Sequence, residues 1–507
     1  MRLINFFILL FFLISCENKN GNIYYLDATG GNDSHSGTST SQAWKSLDRV
    51  KDMIFKPGDK LLLKRGDTFH GQLEFTGQGM QTNRITIDAY GEGDKNPCII
   101  GYDTSLYAIR IYNSDYVTIQ NLEIVNTGKE RIAGRTGLKI QCSDYGTSHS
   151  IRVNGVTVRD VNGSLVKSEG GGCGILIVNE GNKIHSRFDS LIIENCHILR
   201  CERNAMIWSG YSNRNNWHPS LHTIVRGNLI EGVPGDGIVP IGCDSTLIEY
   251  NVMRNCPDLL PITDAAAGFW PWSCDNTIIQ FNDVSGHKAP WDAQAYDCDF
   301  NSTNTIIQYN YSHDNHGGLV LICDPGEEQK GYGIGNRDNK IRYNISIGDG
   351  IRPRKTHVGT YFSPGIHIGG PVKNTLIEYN IIHANPKPGK NIDRSMVTAD
   401  SWNGYADSTI VRKNLFYAAE KSRFSLTKTT NNLYTGNWYL GEYEQLPDDK
   451  QKRLRSDFYN REVLAVDPKG YTGLYKLMDE HIVGDSIHHF VNADRIEKFF
   501  RNLEAEQ

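Results

Sequence analysis

Ten short segments of the chain share one pattern, a β-branched stretch that ends in asparagine. They are VTIQN (117–121), SIRVN (150–154), LIIEN (191–195), TIVRGN (223–228), TLIEYN (246–251), TIIQFN (277–282), TIIQYN (305–310), KIRYN (340–344), TLIEYN (375–380) and TIVRKN (409–414). From Asn195 onward the asparagines are 33, 23, 31, 28, 34, 36 and 34 residues apart. The shorter intervals suit one coil of a β-solenoid, and the longer ones suit one coil with an inserted loop.

The repeat favours stacked strands over other repeat folds. A single short strand cannot bury its apolar face, whereas stacked coils share a continuous core. Asparagine tolerates the left-handed backbone of a tight corner, and stacked asparagines can hydrogen-bond along the column. The alternating, β-branched pattern disfavours a helical solenoid, and a propeller would show four strands per blade at a steadier period. The crossover rule for parallel strands predicts a right-handed coil.

The first coils resemble a known group of proteins. IYYLDATGGND (23–33), AWKSL (43–47) and RITIDAYG (84–91) resemble the opening of pectate-lyase-like right-handed parallel β-helix proteins. The resemblance covers about 23–440 and implies an all-β, single-stranded right-handed parallel β-helix with a capping helix over 40–54, for which Ser41 is a suitable N-cap. The fold alone does not choose among lyase, hydrolase, esterase and adhesin.

Both ends depart from the repeat. MRLINFFILLFFLISC (1–16) has one arginine, a short apolar run and a lipobox-like LISC, so it predicts an exported lipoprotein lipidated at Cys16, with 17–22 as a tether. The alternative is an uncleaved anchor. The coils are predicted to span 23–441. Residues 442–507 are charged and helical in period, which predicts a mostly helical C-terminal cap over the last coil.

Charge and cysteine content narrow the partners. The net charge is −5 and no strongly basic run occurs, which disfavours nucleic acid as a partner. Ten cysteines follow Cys16, an even number that would suit disulfides in an exported protein. Four of them instead precede aspartate at the ends of long strands: Cys243, Cys274, Cys298 and Cys323. This spacing predicts an inward column of reduced thiols.

The segment WDAQAYDCDF (291–300) carries the strongest chemical signal. If Cys298 and Tyr296 point inward, strand alternation turns Asp297 and Asp299 outward, about 6.5–7 Å apart. The cysteine alignment adds Asp324 beside Asp299, and Asp292 approaches from the strand entrance. Carboxylates this close raise one another's pKa, which a general acid requires. The structural alternative, an aspartate that bonds its own turn, is favoured for Asp244 and Asp275.

Aromatic, histidine and basic residues surround this segment. By parity Trp270 and Trp272 are predicted to point inward, which leaves Phe269 and Trp291 as platforms for a sugar ring. His313 and His316 lack a third metal ligand at a clear spacing, so they are predicted to bind substrate or support a loop. The basic cluster at 352–357, which includes Arg354 and Lys355, is either a grip for an anionic sugar or a solvated loop.

Three function classes fit these residues. The main hypothesis is a glycoside hydrolase that uses Asp299 as nucleophile or base and Asp297 as acid, with Asp292 or Asp324 as substitutes. Some β-helix fucosidases, xylanases and lacto-N-biosidases resemble this layout. The alternative is a polysaccharide lyase with Lys355 or Arg354 as base and Ca²⁺ held by the aspartates. A non-catalytic glycan-binding protein is the third.

The hydrolase hypothesis carries expectations for partners and location. It requires no cofactor, and Ca²⁺ would enter only with a lyase. The partners are an oligo- or polysaccharide and a membrane lipid anchor, and the protein is expected to be a monomer. The resemblance to glycan-degrading lipoproteins of the Bacteroidetes type implies attachment to the bacterial outer membrane.

Overall fold

The computed structural model describes residues 21–326, 333–384, 393, 395–427, 431–454 and 473–505. Within these ranges the chain is a parallel β-helix, as the repeat predicted. Cys16 and the signal segment lie outside the described residues, as does most of the tether. Among the described residues, no helix has the length and apolarity needed to cross a membrane.

The stacked coils form three faces, each built from parallel strands. Sheet 1 contains the strands of the asparagine repeat, in parallel order. Its strands are Ile23–Leu26, Lys60–Lys64, Ile85–Tyr90, Val117–Gln120, Arg152–Asn154, Ile192–Glu194, Ile224–Arg226, Leu247–Glu249, Ile278–Gln280, Ile306–Gln308, Lys340–Arg342, Leu376–Glu378, Ile410–Arg412 and Leu433–Thr435.

Sheet 2 follows the asparagine corner and also has fourteen parallel strands. They are Thr68–His70, Cys98–Ile100, Glu123–Asn126, Thr157–Asn162, His197–Glu202, Leu229–Glu231, Val252–Arg254, Asp283–Ser285, Tyr311–His313, Ile345–Ile347, Ile381–Ala384, Leu415–Ala418, Trp438–Leu440 and Arg453–Leu454.

Sheet 3 is divided into two runs. The first contains Ile54–Phe55, Leu73–Gly77, Tyr107–Tyr112, Thr136–Ser143, Cys173–Glu180, Asn204–Ser209 and Ile238–Val239. The second contains Tyr296–Cys298, Val320–Cys323, Ile366–Gly369, Ser395–Asp400 and Arg423–Leu426. Single bridges from Ile238 to Phe269 and from Phe269 to Tyr296 join the two runs.

Short strands fill the return corner towards sheet 1. They are Thr147–His149, Arg187–Asp189, Ser220–Leu221 and Cys243–Asp244, then Ser302–Thr303 with Asn336–Arg337. A separate pair, Ala265–Ala266 with Trp291–Asp292, lies at the entrance to the second run of sheet 3.

A buried asparagine column forms the corner between sheets 1 and 2. Each side-chain amide donates to the side-chain oxygen of the asparagine in the next coil, at 2.8–3.1 Å. The column runs through Asn228, Asn251, Asn282, Asn310, Asn344, Asn380, Asn414 and Asn437. The stacking prediction is therefore confirmed along this part of the chain.

The left-handed corner residue is not the asparagine itself in these coils. Positive φ falls on the preceding residue, as at Tyr250 (φ 55°) and Tyr309 (φ 55°). This conformation turns the asparagine inward and the tyrosine outward, so the tyrosines and Phe281 stack on the outside with ring centroids 5.1–5.4 Å apart. The predicted left-handed asparagines occur at Asn121 and Asn195.

The predicted N-terminal capping helix is wrong. Two 3₁₀ turns, Thr40–Gln42 and Leu47–Arg49, replace it. Trp44 and Leu47 are buried over the first coil and close the core there. The apolar spacing of 40–54 correctly predicted buried residues, but a loop with 3₁₀ turns buries them instead of an α-helix.

The C-terminal segment also differs from the prediction. Strand Arg453–Leu454 extends sheet 2 at the last coil. The later part begins with a 3₁₀ turn, Leu474–Leu477. An antiparallel hairpin follows, Met478–Val483 with Ser486–Val491, and then one α-helix, Ala493–Ala505. Hairpin and helix lie along the outside of sheet 2, against residues such as Leu229, Tyr311 and Trp438, rather than over the end of the solenoid.

Candidate active site

The second run of sheet 3 presents two rows of outward side chains. Tyr296 and Cys298 belong to the core, as predicted, so alternation turns Asp297 and Asp299 outward. The strand pairing places the first row across Asp297, Leu321, His367, Thr398 and Ser425. The second row follows two residues later and contains Asp299, Cys323, Gly369 and Asp400.

Asp292 approaches this face from the strand entrance. Its backbone is left-handed (φ 57°), as is that of Ala293, so the chain turns sharply into the sheet 3 strand. Buried Arg352 holds the turn by donating to the backbone carbonyl of Asp292 at 2.8 Å and to that of Ala289 at 2.8 Å. The Asp292 carboxyl is half-buried, and this burial raises its pKa to about 6.

Asp297 lies between the other two carboxyl groups in sequence and is 5% exposed. Its Oδ1 is buried and has no hydrogen-bond partner among the described residues. Burial raises the pKa of Asp297 well above its ordinary value, and the charges of Asp292 and Asp299 raise it further. Burial therefore favours the protonated form of Asp297, and it also removes this carboxyl group from direct contact with a leaving group.

Asp299 is more accessible and is held by hydrogen bonds. The backbone N–H of Phe300 donates to Oδ1 at 2.6 Å, and the Cys323 thiol donates to the same oxygen at 3.1 Å. Burial raises the pKa of Asp299, while the Cys323 and Phe300 donors oppose that rise by stabilising the carboxylate. These two donors favour the charged form of Asp299, although burial keeps its pKa above the ordinary value.

A buried ion pair lies on the N-terminal side of these acids. Arg203 and Asp236 are both fully buried, with Arg203 Nη1 2.5 Å from Asp236 Oδ2. The indole N–H of Trp270 donates to the same carboxylate at 3.1 Å. Lys167 lies over the Trp270 ring. Burial acts to raise the pKa of Asp236, Asp292 and Asp299, and the charge of Lys167 opposes this effect. Sequence reasoning missed these residues because coils far apart in sequence contribute them.

Aromatic rings line the accessible side of the face. Trp291 packs against His357 and Phe362, with ring centroids 4.8 and 5.9 Å apart. Phe362 also contacts His367, whose Nε2 lies 3.1 Å from Asp400. Half-exposed Trp291 and Phe362 give the site the flat apolar surface that sugar rings bind. The platform role of Trp291 stays a prediction.

The predicted cysteine column holds only in part. Cys243 pairs in register with Cys274, and the next position in that column is Ser302. Cys298 instead aligns with Ile322, which shifts Cys323 outward to Asp299. The ten described cysteines are all buried free thiols.

Because Cys323 faces Asp299, Asp324 is no longer a candidate substitute in the catalytic pair. Asp324 is fully buried and accepts from the backbone N–H of Gly326 at 2.9 Å and of Asn336 at 3.2 Å. It therefore ties the turn after Cys323, which is the structural alternative that the sequence favoured for Asp244 and Asp275. Its predicted place beside Asp299 is wrong.

The parity prediction for the preceding coil is also wrong. Phe269 is 0% exposed and packs on Tyr296 in the core, so it cannot present a ring face to substrate. Trp270 and Trp272 lie on the outer side, in a separate apolar cluster. Ser273 explains the error: its left-handed backbone (φ 54°) interrupts the alternation between Trp272 and Cys274.

The two predicted histidines lie in different places. His313 is on sheet 2 beneath the C-terminal hairpin, where it stacks on Tyr311 and its ring nitrogens face Asp314 and Asp283. The prediction that His313 contacts substrate is therefore wrong. His316 is buried beside Arg352, and burial followed by that charge lowers its pKa to about 3. It stays neutral, at the rear of the loop that carries Asp292.

The basic loop contributes one buried residue and two outer ones. Arg354 is exposed and pairs with Asp258, and Lys355 is exposed. The residue that reaches the site is Arg352, which acts through backbone carbonyls. Among the described residues, no group of three or more histidine, cysteine, aspartate or glutamate side chains is arranged to hold a metal ion.

Comparison with known proteins relates this fold to carbohydrate-active enzymes. No family model matches the chain. A lacto-N-biosidase from Bifidobacterium longum subsp. longum is 25% identical over 427 residues, an alignment that takes in 65% of this chain and 26% of that protein. The chain thus spans about a quarter of the length of the curated relative it matches.

Two solved structures share the fold. A GH136 lacto-N-biosidase from Eubacterium ramulus aligns with a TM-score of 0.57 at 21% identity, over 86% of this chain and 68% of that one. A mannuronic acid specific polysaccharide family 6 lyase from human gut microbiota aligns with a TM-score of 0.50 at 13% identity, over 90% and 96%. These likenesses confirm the β-helix and leave the reaction to the site.

Proposed function

We propose that the chain is a glycoside hydrolase whose catalytic pair is Asp292 and Asp299. The observation that carries the proposal is the difference between these two carboxyl groups. Burial raises the pKa of Asp292 to about 6, so it can hold a proton near neutral pH. Asp299 accepts two hydrogen bonds that favour its charged form. The similarity to lacto-N-biosidases supports the same class of reaction.

The two roles follow from these surroundings. Asp292 donates a proton to the departing glycosidic oxygen, and Asp299 attacks the anomeric carbon or activates the water that does so. Asp297, the acid expected from sequence, is 5% exposed and is too buried for that transfer. Export and lipid anchoring through Cys16 remain part of the proposal.

Substitution tests the two roles separately. We expect Asp292→Asn and Asp299→Asn to lower kcat on a natural glycan by about 10²–10⁴-fold. A dinitrophenyl glycoside needs little protonation of its leaving group, so it should restore most of the activity of Asp292→Asn and none of that of Asp299→Asn. A lacto-N-biosyl glycoside is the first substrate to assay, because the curated relative carries that name.

The control is Asp338→Asn, at an exposed left-handed corner where asparagine is well tolerated. It should retain wild-type activity. Equal losses in all three variants, or an unsaturated uronate product with its ultraviolet absorbance, would reject the hydrolase. The second outcome would indicate the lyase.

The pH profile gives an independent test. Asp292 must be protonated to act as an acid, so kcat/KM should fall as the pH rises through about 6. The Asp292→Asn variant, assayed on the dinitrophenyl glycoside, should lack this alkaline limb. A limb that persists in the variant would assign the titration to another group.

A further inference from the structure

A cavity opens on the same outer face, towards the C-terminus of the solenoid. Its volume is about 390 Å³, within the range of roughly 300–1,000 Å³ that ligand sites occupy. Its lining includes Thr398, Asp400, Arg423, Ser425, Glu444 and Gln445. None of the proposed catalytic residues lines it.

The cavity continues the row that begins at the acids. Strand pairing leads from Asp297 through Leu321 and His367 to Thr398, and then to Ser425. Neighbouring strands are about 4.8 Å apart, so three to four spacings place the cavity about 14–19 Å from Asp297. A saccharide ring is about as wide as one spacing, so a glycan lying along the row would reach it.

An aromatic ring bridges the interval. A Cβ on Gly369 would lie 2.8–3.0 Å from the ring atoms of Trp402, so the indole packs directly on this glycine. Gly369 separates Cys323 from Asp400 in the second row. The half-exposed Trp402 ring therefore lies between the catalytic carboxyl groups and the cavity, where it can stack on an intervening sugar.

The charges of the cavity indicate what it accepts. Asp400 and Glu444 contribute two carboxyl groups to the lining, and Arg423 contributes one guanidinium. Asp400 faces His367 at 3.1 Å, and Arg423 faces Asp393 at 3.3 Å. An acidic lining repels uronate or sulfate. Carboxylate, hydroxyl and amide groups are hydrogen-bond partners for sugar hydroxyls.

We propose that this cavity is a distal subsite that binds an uncharged sugar residue of the glycan whose linkage is cleaved at Asp292 and Asp299. The proposal rests on the proposed function and deepens it, because it assigns a specificity for chain length. Sugar residues three to four rings from the scissile linkage would contribute to binding without touching the catalytic groups.

Filling the cavity provides the test. Ser425→Trp places an indole in it, and Thr157→Trp, at a half-buried outward position on sheet 2, is the matched control. The probes are lacto-N-biose-terminated oligosaccharides, from the disaccharide aryl glycoside to the hexasaccharide. We expect Ser425→Trp to lower kcat/KM on the hexasaccharide about tenfold, as for the loss of one or two hydrogen bonds, and to leave the aryl glycoside unchanged.

Each outcome is decisive. Parallel losses on short and long probes, or no loss on either, would overturn the subsite while leaving the hydrolase intact. If the wild type cleaves no probe, the hydrolase proposal fails, and calorimetry with the hexasaccharide still tests the cavity. There the wild type should bind more tightly than Ser425→Trp, and equal affinity would reject the subsite. Glu444→Trp, at the exposed rim, replaces Ser425→Trp if the latter does not fold.

Discussion

Asp299 shows how one thiol can tune a carboxyl group. The Cys323 side chain donates to Oδ1 at 3.1 Å, and this contact opposes the rise in pKa that burial imposes on Asp299. A serine at the same position could donate in the same way, whereas an alanine could not. Cys323 is therefore a positioning residue that acts through Asp299.

We predict opposite results for the two substitutions. Cys323→Ala removes the donor and raises the pKa of Asp299, so the acidic limb of kcat/KM should move to higher pH. Cys323→Ser should keep the limb at its wild-type position. The measurement is the pH profile on the dinitrophenyl glycoside, for which protonation of the leaving group matters little. Identical limbs in both variants would mean that the thiol only fills space.

At the scale of structural elements, the asparagine column joins the coils. The Asn310 side chain takes part in four hydrogen bonds. Its oxygen accepts from the backbone N–H and the side-chain amide of Asn282, and its amide donates to the Ile279 carbonyl and the Asn344 side-chain oxygen. All lie in the interior, where an unmade bond costs the desolvation of each group left without a partner.

We therefore predict that Asn310→Ala lowers the free energy of unfolding by about 3 kcal/mol or more. Gln308→Ala is the matched control, since Gln308 lies two residues earlier on the outer side and bonds Gln280 and Arg342. It should cost less than about 1 kcal/mol. Chemical denaturation of both variants measures the difference, and similar losses would show that burial of the column adds nothing.

At the scale of the whole molecule, the C-terminal segment is fastened along the side of the solenoid. The apolar side of helix Ala493–Ala505 packs on Trp438 and the stacked tyrosines. Beneath the hairpin, buried Asp283 lies 3.4 Å from His313 and 3.7 Å from His488. Asp283 thus lies between one histidine of sheet 2 and one histidine of the hairpin.

The contribution of the His313–Asp283 ion pair to stability should depend on pH. Burial by itself lowers the pKa of His313, but Asp283 and Asp314 outweigh it and raise the pKa to about 10. A histidine whose pKa rises on folding stabilises fully below its ordinary value of about 6.5 and loses that contribution as pH rises through about 10. The Tm advantage of the wild type over His313→Gln should therefore shrink across this interval.

The control for that measurement is His149→Gln, which removes a half-exposed histidine paired with Asp115. Its Tm difference from the wild type should be small, because solvent screens a surface pair. If the Tm difference between the wild type and His313→Gln stays constant from neutral to alkaline pH, the charged state of His313 is contradicted.

The sequence by itself determined the coils and the segment that carries the acids. Ten repeats ending in asparagine favour stacked strands, because stacking buries the β-branched face of each coil against its neighbours. The alternation around Tyr296 and Cys298 then sufficed to turn Asp297 and Asp299 outward. These are local properties, set by strand period and side-chain type.

Only the tertiary structure decided which acids can act. The left-handed backbone of Ser273 interrupts strand parity, so Phe269 lies in the core and Trp270 lies outside it. Arg352 belongs to a loop and Lys167 to a distant coil, and both lie near Asp292 only in the folded chain. The pKa of a carboxyl group depends on burial and on the charges of neighbours from many coils, so no local sequence pattern predicts it.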